Sequence, residues 1–192
     1  MTEPPVFYFD LGSPYAYLAA ERIHAVLPQP PAWQPILLGG LFKLHGRGSW
    51  AETDARAEGM AEVERRARER GLPPLRWPDR WPANTLFAMR AATYAAQAGR
   101  AAAFALAAFR QAFQAGRDLS DPDNVLLAAA ACELHPRAVT TAVETRSVKD
   151  ALRAATEEAA ERGVIGVPTI RIGNDLFWGD DRLEEAAARL DG

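Results

Sequence analysis

The stretch Val6-Phe7-Tyr8-Phe9-Asp10-Leu11-Gly12-Ser13-Pro14-Tyr15-Ala16-Tyr17-Leu18-Ala19 decides how this 192-residue chain is read. An apolar, aromatic run of strand type, Val6 to Phe9, breaks at Gly12 and resumes as an apolar segment of helical type. Ser13 stands at the cap position, and Pro14 stands where a first helical residue tolerates the loss of its N–H. The turn therefore sets a serine hydroxyl at the positive end of a helix, a setting that stabilises an anion. An ordinary capped strand-to-helix turn has the same sequence, and these residues alone leave both readings open.

The far end of the chain adds weight to the first reading. Gly163-Val164-Ile165-Gly166-Val167-Pro168-Thr169-Ile170-Arg171-Ile172 is a loop, a proline and a strand. A turn at Gly173-Asn174-Asp175 leads to a second strand, Leu176-Phe177-Trp178, which runs into Gly179-Asp180-Asp181-Arg182-Leu183. A Val-Pro pair just before a strand is where a thioredoxin-type fold keeps a cis peptide. Together with Phe9-Asp10-Leu11-Gly12-Ser13-Pro14-Tyr15 and the central Trp81-Pro82-Ala83-Asn84-Thr85-Leu86, these motifs resemble the 2-hydroxychromene-2-carboxylate isomerases and kappa-class glutathione transferases. Those are thioredoxin-fold proteins related to the DsbA-like disulfide oxidoreductases. The likeness spans nearly the whole chain.

The bulk composition is that of a soluble globular protein. Hydrophobic residues make up 48% and charged residues 24%, an ordinary globular balance, and a net charge of −3 argues against a general nucleic-acid binder. Cys132 is the single cysteine, so no intrachain disulfide and no two-cysteine redox motif can form; its alanine-rich surroundings read as a buried structural thiol. Met1-Thr2-Glu3-Pro4-Pro5 does not read as a secretory leader, and no apolar run approaches the roughly 18 residues that span a bilayer, so a cytoplasmic location is expected. His24, His45 and His135 lack metal-ligand spacing, and no metal is expected.

The helix after Ser13 is expected to reach Val26, before Pro28, Pro30 and Pro31. Trp33 to Leu38 reads as a strand, with Pro35 implying either an edge position or an irregular start, and Gly39-Gly40 as its end. Helices are then expected over Asp54–Arg70, Asn84–Ala98, Ala101–Ala115, Asp121 through Cys132, Arg137–Thr145 and Ser147–Arg162. Asp180 or Asp181 is expected to cap a C-terminal helix. The basic run Arg65-Arg66-Ala67-Arg68-Glu69-Arg70, interleaved with Glu62, Glu64 and Glu69, reads as a solvated helix face. The fold class expected is α/β: a thioredoxin-like fold (βαβ … αββα) interrupted by an all-helical insertion. Residues 1–40 form its N-terminal part, 41–146 the insertion and 147–192 its C-terminal part.

In a redox thioredoxin two cysteines would occupy the places of Ser13 and Ala16. A site that keeps the polarising helix end and has no thiol must borrow one, and glutathione is the abundant candidate. The resemblance implies the same: Ser13 matches the serine that hydrogen-bonds the glutathione sulfur. It also implies that Val167, before Pro168, pairs with the glutathione backbone and that Asp181 receives the γ-glutamyl ammonium, with Trp178, Asp180 and Asn84 close by. Simple capping accounts equally for Asn84, Asp180 and Asp181. Lys43 matches a family lysine at the pocket mouth, a candidate cation for a substrate carboxylate or an enolate. Arg47 stands where the family often has an asparagine that helps hold glutathione, and Asp180 where it often has an amide. Tyr15, Tyr17, Trp81 and Arg47 are candidates for the substrate pocket. The implied reaction is glutathione-dependent interconversion of 2-hydroxychromene-2-carboxylate and trans-o-hydroxybenzylidenepyruvate by reversible thiol addition. A kappa-type transferase and a non-enzymatic peptide-binding module remain alternatives, and relatives suggest a homodimer.

Overall fold

The computed structural model describes residues 3–191; the reading of Met1 and Thr2 as part of no leader falls outside them. Strands β1 (Val6–Phe9), β2 (Ala32–Pro35), β3 (Thr169–Ile172) and β4 (Asp175–Trp178) form one sheet in the order β2-β1-β3-β4. β1 pairs with β2 in parallel, and with β3 antiparallel; β3 and β4 are the hairpin. Helices α1 (Pro14–Ala20) and α2 (Ile23–Val26) make the crossover between β1 and β2. Seven helices follow before β3: α3 (Leu38–Leu44), α4 (Arg56–Glu69), α5 (Leu86–Gln97), α6 (Ala101–Phe113), α7 (Pro122–Ala131), α8 (Pro136–Ala142) and α9 (Arg146–Glu161). α10 (Leu183–Asp191) follows the hairpin. This is the thioredoxin-like α/β architecture with many inserted helices. Pro35 does lie on an edge strand, and the Val167–Pro168 peptide is cis, as is Trp81–Pro82.

The sheet and the inserted helices share one core. Phe7 and Phe9 alternate onto the same face of β1 and are fully buried, with Trp33 of β2 edge-on at 4.8 Å from Phe7. α6 brings Phe109 to 6.1 Å from Phe9 and Phe113 to 5.5 Å from Tyr17. Each such side chain contributes about 1.5–3 kcal/mol by leaving water.

Four local expectations differ from the structure. The first helix ends at Ala20 because its last turn tightens, the Arg22 N–H donating to the Ala19 carbonyl. There Glu21 pairs with Arg110 of α6 while Arg22 pairs with Glu184 of α10, so the two neighbours are drawn to different elements. β2 stops at Pro35 and Gly39-Gly40 is helical rather than a break. The N–H groups that open α3 are met from outside it: Leu37 donates to Thr156 Oγ1 (3.0 Å) and Leu38 to Asp10 Oδ2 (2.8 Å). Gly40 lets the helix lie against α9, since a Cβ there would come within 3.0 Å of Thr156 Cγ2. Finally, Thr145 rather than Ser147 caps α9, because the Thr145 hydroxyl both donates to the carbonyl of Ala142 and accepts from the N–H of Val148.

Asp10 ties these parts together. Its carboxylate is 3% exposed and accepts from the Gly12 N–H (2.8 Å), the Thr85 hydroxyl (3.1 Å) and the Leu38 N–H (2.8 Å). Burial pushes its pKa above the ordinary 3.8, and the three donors pull it back down. In Asp10→Asn an amide NH2 must face at least one of those donors, which should cost about 1–3 kcal/mol in urea unfolding. The folded state also takes up the Asp10 proton at higher pH than the unfolded chain. The stability of the parent relative to Asp10→Asn should therefore fall as pH rises from 3.8 through the raised value, and be level above it. A flat difference across that range would show that the carboxyl does not titrate as placed.

Candidate functional site

A cleft of about 750 Å³ opens where the turn after β1 meets the loop before β3. Ser13, 4% exposed, lies at its floor. The serine oxygen caps α1 by accepting from the Ala16 N–H (3.2 Å), and its O–H lies 3.4 Å from the Val167 carbonyl. Val167 directs its carbonyl at Ser13, while its N–H donates to no group among the described residues. An oxygen or sulfur acceptor entering between them would compete with a long, weak contact for the Ser13 proton.

One side of the cleft is aromatic. Tyr15 and Trp50 meet edge-on at 6.0 Å, and Trp50 and Trp81 lie 5.3 Å apart. Trp81 is fixed by donating from Nε1 to the Gly12 carbonyl (3.2 Å), and Arg66 stands 5.4 Å from the Tyr15 ring centre. Burial pushes the Tyr15 phenol up, so it stays a neutral hydroxyl. On the opposite side Trp178, 43% exposed, lies flat over Gly166, where a Cβ would come within 2.6 Å of its Nε1. The Arg47 guanidinium covers that indole at 5.3 Å and donates to the Ile165 carbonyl (3.3 Å). Lys43, exposed on the last turn of α3, completes a cationic rim.

The two neighbouring aspartates have separate fates. Asp180 is 1% exposed and is no helix cap: it accepts from Arg66 (2.7 Å) and from Arg70. Asp181 is exposed at the cleft, with Oδ2 3.5 Å from Arg66. The basic run is thus only partly a solvated face. Arg65 pairs with Glu62 and Glu69 in solvent, but Arg66 and Arg70 share the stripe of the buried Val63 and Ala67 and turn inward. That i, i+3, i+4, i+7 spacing was the available sequence signal.

Ser13, Tyr15, Lys43, Arg47, Trp81, Val167, Pro168, Trp178, Asp180 and Asp181 therefore converge on one cleft. Tyr17 and Asn84 do not line it. Tyr17 is fully buried against Phe109 and Phe113, its hydroxyl accepting from Gln114, because it follows Tyr15 by two helical positions and faces the core. Asn84 is exposed, and its side-chain oxygen accepts from the Leu86 N–H at the start of α5, the capping job. Trp50, Arg66, Asp10 and Thr85 reach the cleft without having been singled out. Cys132 is buried far along the chain just after α7, its thiol pushed up by burial, as befits a structural residue. Among the described residues no three His, Cys, Asp or Glu side chains cluster as metal ligands would, and no helix is long and apolar enough to cross a membrane.

The sequence model of the DSBA-like thioredoxin domain matches residues 6–191. The chain belongs to this family. It is 29% identical over 194 residues to a 2-hydroxychromene-2-carboxylate isomerase of Sphingobium xenophagum, covering 96% of each chain. A solved 2-hydroxychromene-2-carboxylate isomerase structure superposes with a TM-score of 0.86 at 24% identity, over 97% of this chain and 95% of that one. The cytosolic disulfide reductase DsbM of Pseudomonas aeruginosa, solved with GSH, superposes at 0.67 and 17% identity, over 97% and 96% of the two chains. At those identities the two structures speak for the fold. Within the family this chain has Ser13 at the turn and no cysteine beside it, so the member described here lacks the dithiol of a disulfide exchanger.

Removing Asp180 takes the buried carboxylate from two half-buried guanidiniums, of which Arg66 keeps Glu62 and Asp181 and Arg70 is left without its partner. Asp180→Ala should cost about 1–3 kcal/mol in chemical denaturation, whereas Asp181→Ala should stay within about 0.5 kcal/mol. Equal losses at the two positions would contradict the division of roles.

Proposed function

We propose that the protein is a glutathione-dependent isomerase acting on an aromatic carboxylate of the 2-hydroxychromene-2-carboxylate type. The observation that carries this reading is the floor of the cleft: a serine hydroxyl 3.4 Å from the Val167 carbonyl, in a chain with no thiol there. Likeness to an isomerase over 96% of the chain supports it.

The residues fit glutathione in three places. The unpaired Val167 N–H suits the backbone of an extended tripeptide, which would add beside it like a strand. Asp181 and Arg66, 3.5 Å apart, offer opposite charges to the ammonium and carboxylate of a γ-glutamyl group. Ser13 would turn its proton from Val167 to the sulfur, stabilising a thiolate by a charge-assisted hydrogen bond. Bound glutathione supplies the nucleophilic thiol whose reversible addition to a conjugated double bond frees that bond to rotate. Lys43 and Arg47 hold the substrate carboxylate at the rim and stabilise negative charge as it moves onto the carbonyl oxygen. Tyr15, Trp50 and Trp81 take the ring and exclude water from one side. The rotation step needs no protein base, since the thiolate that adds to the ring-opened ketone is also the group that leaves.

The test is a spectrophotometric assay of the interconversion with and without glutathione. Turnover only with the tripeptide, and with no tripeptide consumed, is expected. Stoichiometric loss of glutathione into a conjugate would make the protein a transferase. Failure to bind glutathione at all, while an extended peptide binds, would make it a peptide-binding module. A cytoplasmic setting, where the tripeptide is abundant, and a homodimer belong to the same reading.

Ser13→Ala should lower turnover about tenfold to a hundredfold, the worth of a charged-partner hydrogen bond of roughly 1.5–3 kcal/mol, with an unchanged fold. Turnover within twofold of the parent at saturating glutathione would remove Ser13 from the chemistry. Asp181→Asn should raise the glutathione concentration needed for half-maximal rate while the melting temperature stays put. A fall in melting with an unaltered glutathione requirement would make Asp181 structural.

A further inference from the structure

The loop before β3 has its carbonyls tied to side chains from other parts of the chain and its donors left over. Val164 accepts from His45 Nε2 (3.0 Å), which carries the ring proton because a carbonyl only accepts. Ile165 accepts from Arg47 (3.3 Å), Gly166 from the Thr169 hydroxyl (2.7 Å) and Val167 from Ser13 (3.4 Å). The N–H groups of Ile165, Gly166 and Val167 donate to nothing among the described residues. A trans peptide group is planar, with its C=O and N–H opposed, so whatever holds the carbonyl of one residue aims the N–H of the next. The Gly166–Val167 peptide is trans, and the partner of the Gly166 carbonyl therefore aims the Val167 N–H. That partner is Thr169.

Thr169 opens β3, is 1% exposed and does not line the cleft, and its bond is the shortest of the four. The peptide it holds is one that would otherwise turn readily. Gly166 makes room for the Trp178 indole, since a Cβ there would come within 2.6 Å of Nε1. The same lack of a Cβ leaves little resistance to rotation of the peptide that follows. Without the hydroxyl, the buried Gly166 carbonyl has no partner among the described residues, and the cleft that Gly166 lines offers it water. Turning that way swings the Val167 N–H off the cleft floor. We infer that Thr169 is a positioning residue of the thiol site: its hydroxyl touches no ligand but sets the direction of the Val167 N–H.

This inference rests on the reading that glutathione pairs with Val167. Thr169→Val keeps the branched shape and removes the hydroxyl, whereas Thr169→Ser keeps the hydroxyl. Calorimetric titration of the whole protein with glutathione, well below the melting temperature of each variant, should show binding about fivefold or more weaker in Thr169→Val, as the loss of one neutral hydrogen bond implies. Thr169→Ser should bind within about twofold of the parent. In amide NMR spectra the Val167 resonance should move on adding glutathione to the parent and to Thr169→Ser, and stay in place in Thr169→Val. A role confined to holding the fold lowers melting and leaves the affinity of the folded protein alone. Parent-like affinity in Thr169→Val, a Thr169→Ser variant as weak as Thr169→Val, or a Val167 amide that bound glutathione does not move would overturn the inference and leave glutathione binding standing. Should Thr169→Val fail to fold, Thr169→Ala makes the same comparison with the same expected loss. A parent that binds no glutathione would overturn the inference together with the reading beneath it.

Discussion

The buried carboxylate of Asp10 is the constraint on which the rest of the site depends. Three donors from three parts of the chain meet it: the turn that carries Ser13, the start of α3 that carries Lys43, and the segment that carries Trp81 and Thr85. A carboxylate in so dry a place is costly unless its lone pairs are met, and here they are met only when all three segments are in position. The same interaction that orders the fold therefore fixes the distance between the cleft floor, its cationic rim and its aromatic wall. Gly12 lets this happen at close quarters, for a Cβ there would crowd Asp10 Oδ1 and Thr85 Cγ2 at 3.3 and 3.2 Å.

Charge is sorted by burial around the cleft. Asp180, Arg66 and Arg70 form a paired cluster between α4 and the turn before α10, which anchors the inserted helix to the sheet side of the molecule. Asp181, 3.5 Å from Arg66 at the edge of that cluster, and Lys43 and Arg47 beyond it face the opening. Groups fixed by buried partners hold shape, while exposed ones are available to a ligand. Both aspartates of the Gly-Asp-Asp sequence border the cleft, but Asp180 is buried in ion pairs while Asp181 is exposed. The departure of Asp180 from an amide has a physical partner in the two arginines, which an amide could not neutralise.

The aromatic wall shows the same economy. Trp81, Trp50 and Tyr15 come from three distant segments, and each is restrained from behind: by a carbonyl, by a glycine and by a guanidinium. Rings so held, tilted at 49° and 66° to one another, lose little freedom when an apolar group settles among them. The thiol site and the ring site lie side by side because Tyr15 follows Ser13 by two residues in the turn that begins α1.

The β1 turn, the Val-Pro before β3 and the hairpin were legible in the sequence because each is a local pattern, whereas the capping role expected of Asp180 or Asp181 was not found. These patterns rest on alternation, proline geometry and turn residues within a few positions of one another. From them, and from the family likeness they carry, followed the thioredoxin-like fold, with Pro35 pointing to the edge position of β2. The interior was legible only in outline. That Gly39-Gly40 begins a helix depends on Thr156 and Asp10, more than a hundred and about thirty residues away. That Tyr17 faces the core, that Asn84 caps, and that Arg66 and Arg70 turn inward to Asp180 are settled by what each side chain finds across the fold. The inward stripe of Val63, Arg66, Ala67 and Arg70 is readable in hindsight, but the carboxylate that makes it favourable is 110 residues on from Arg70. The sequence by itself determined the strand and turn framework and the absence of a thiol at its centre. Tertiary structure alone decided which charges are buried and which are free, because the cost of burying a charge is set by partners that only folding brings near.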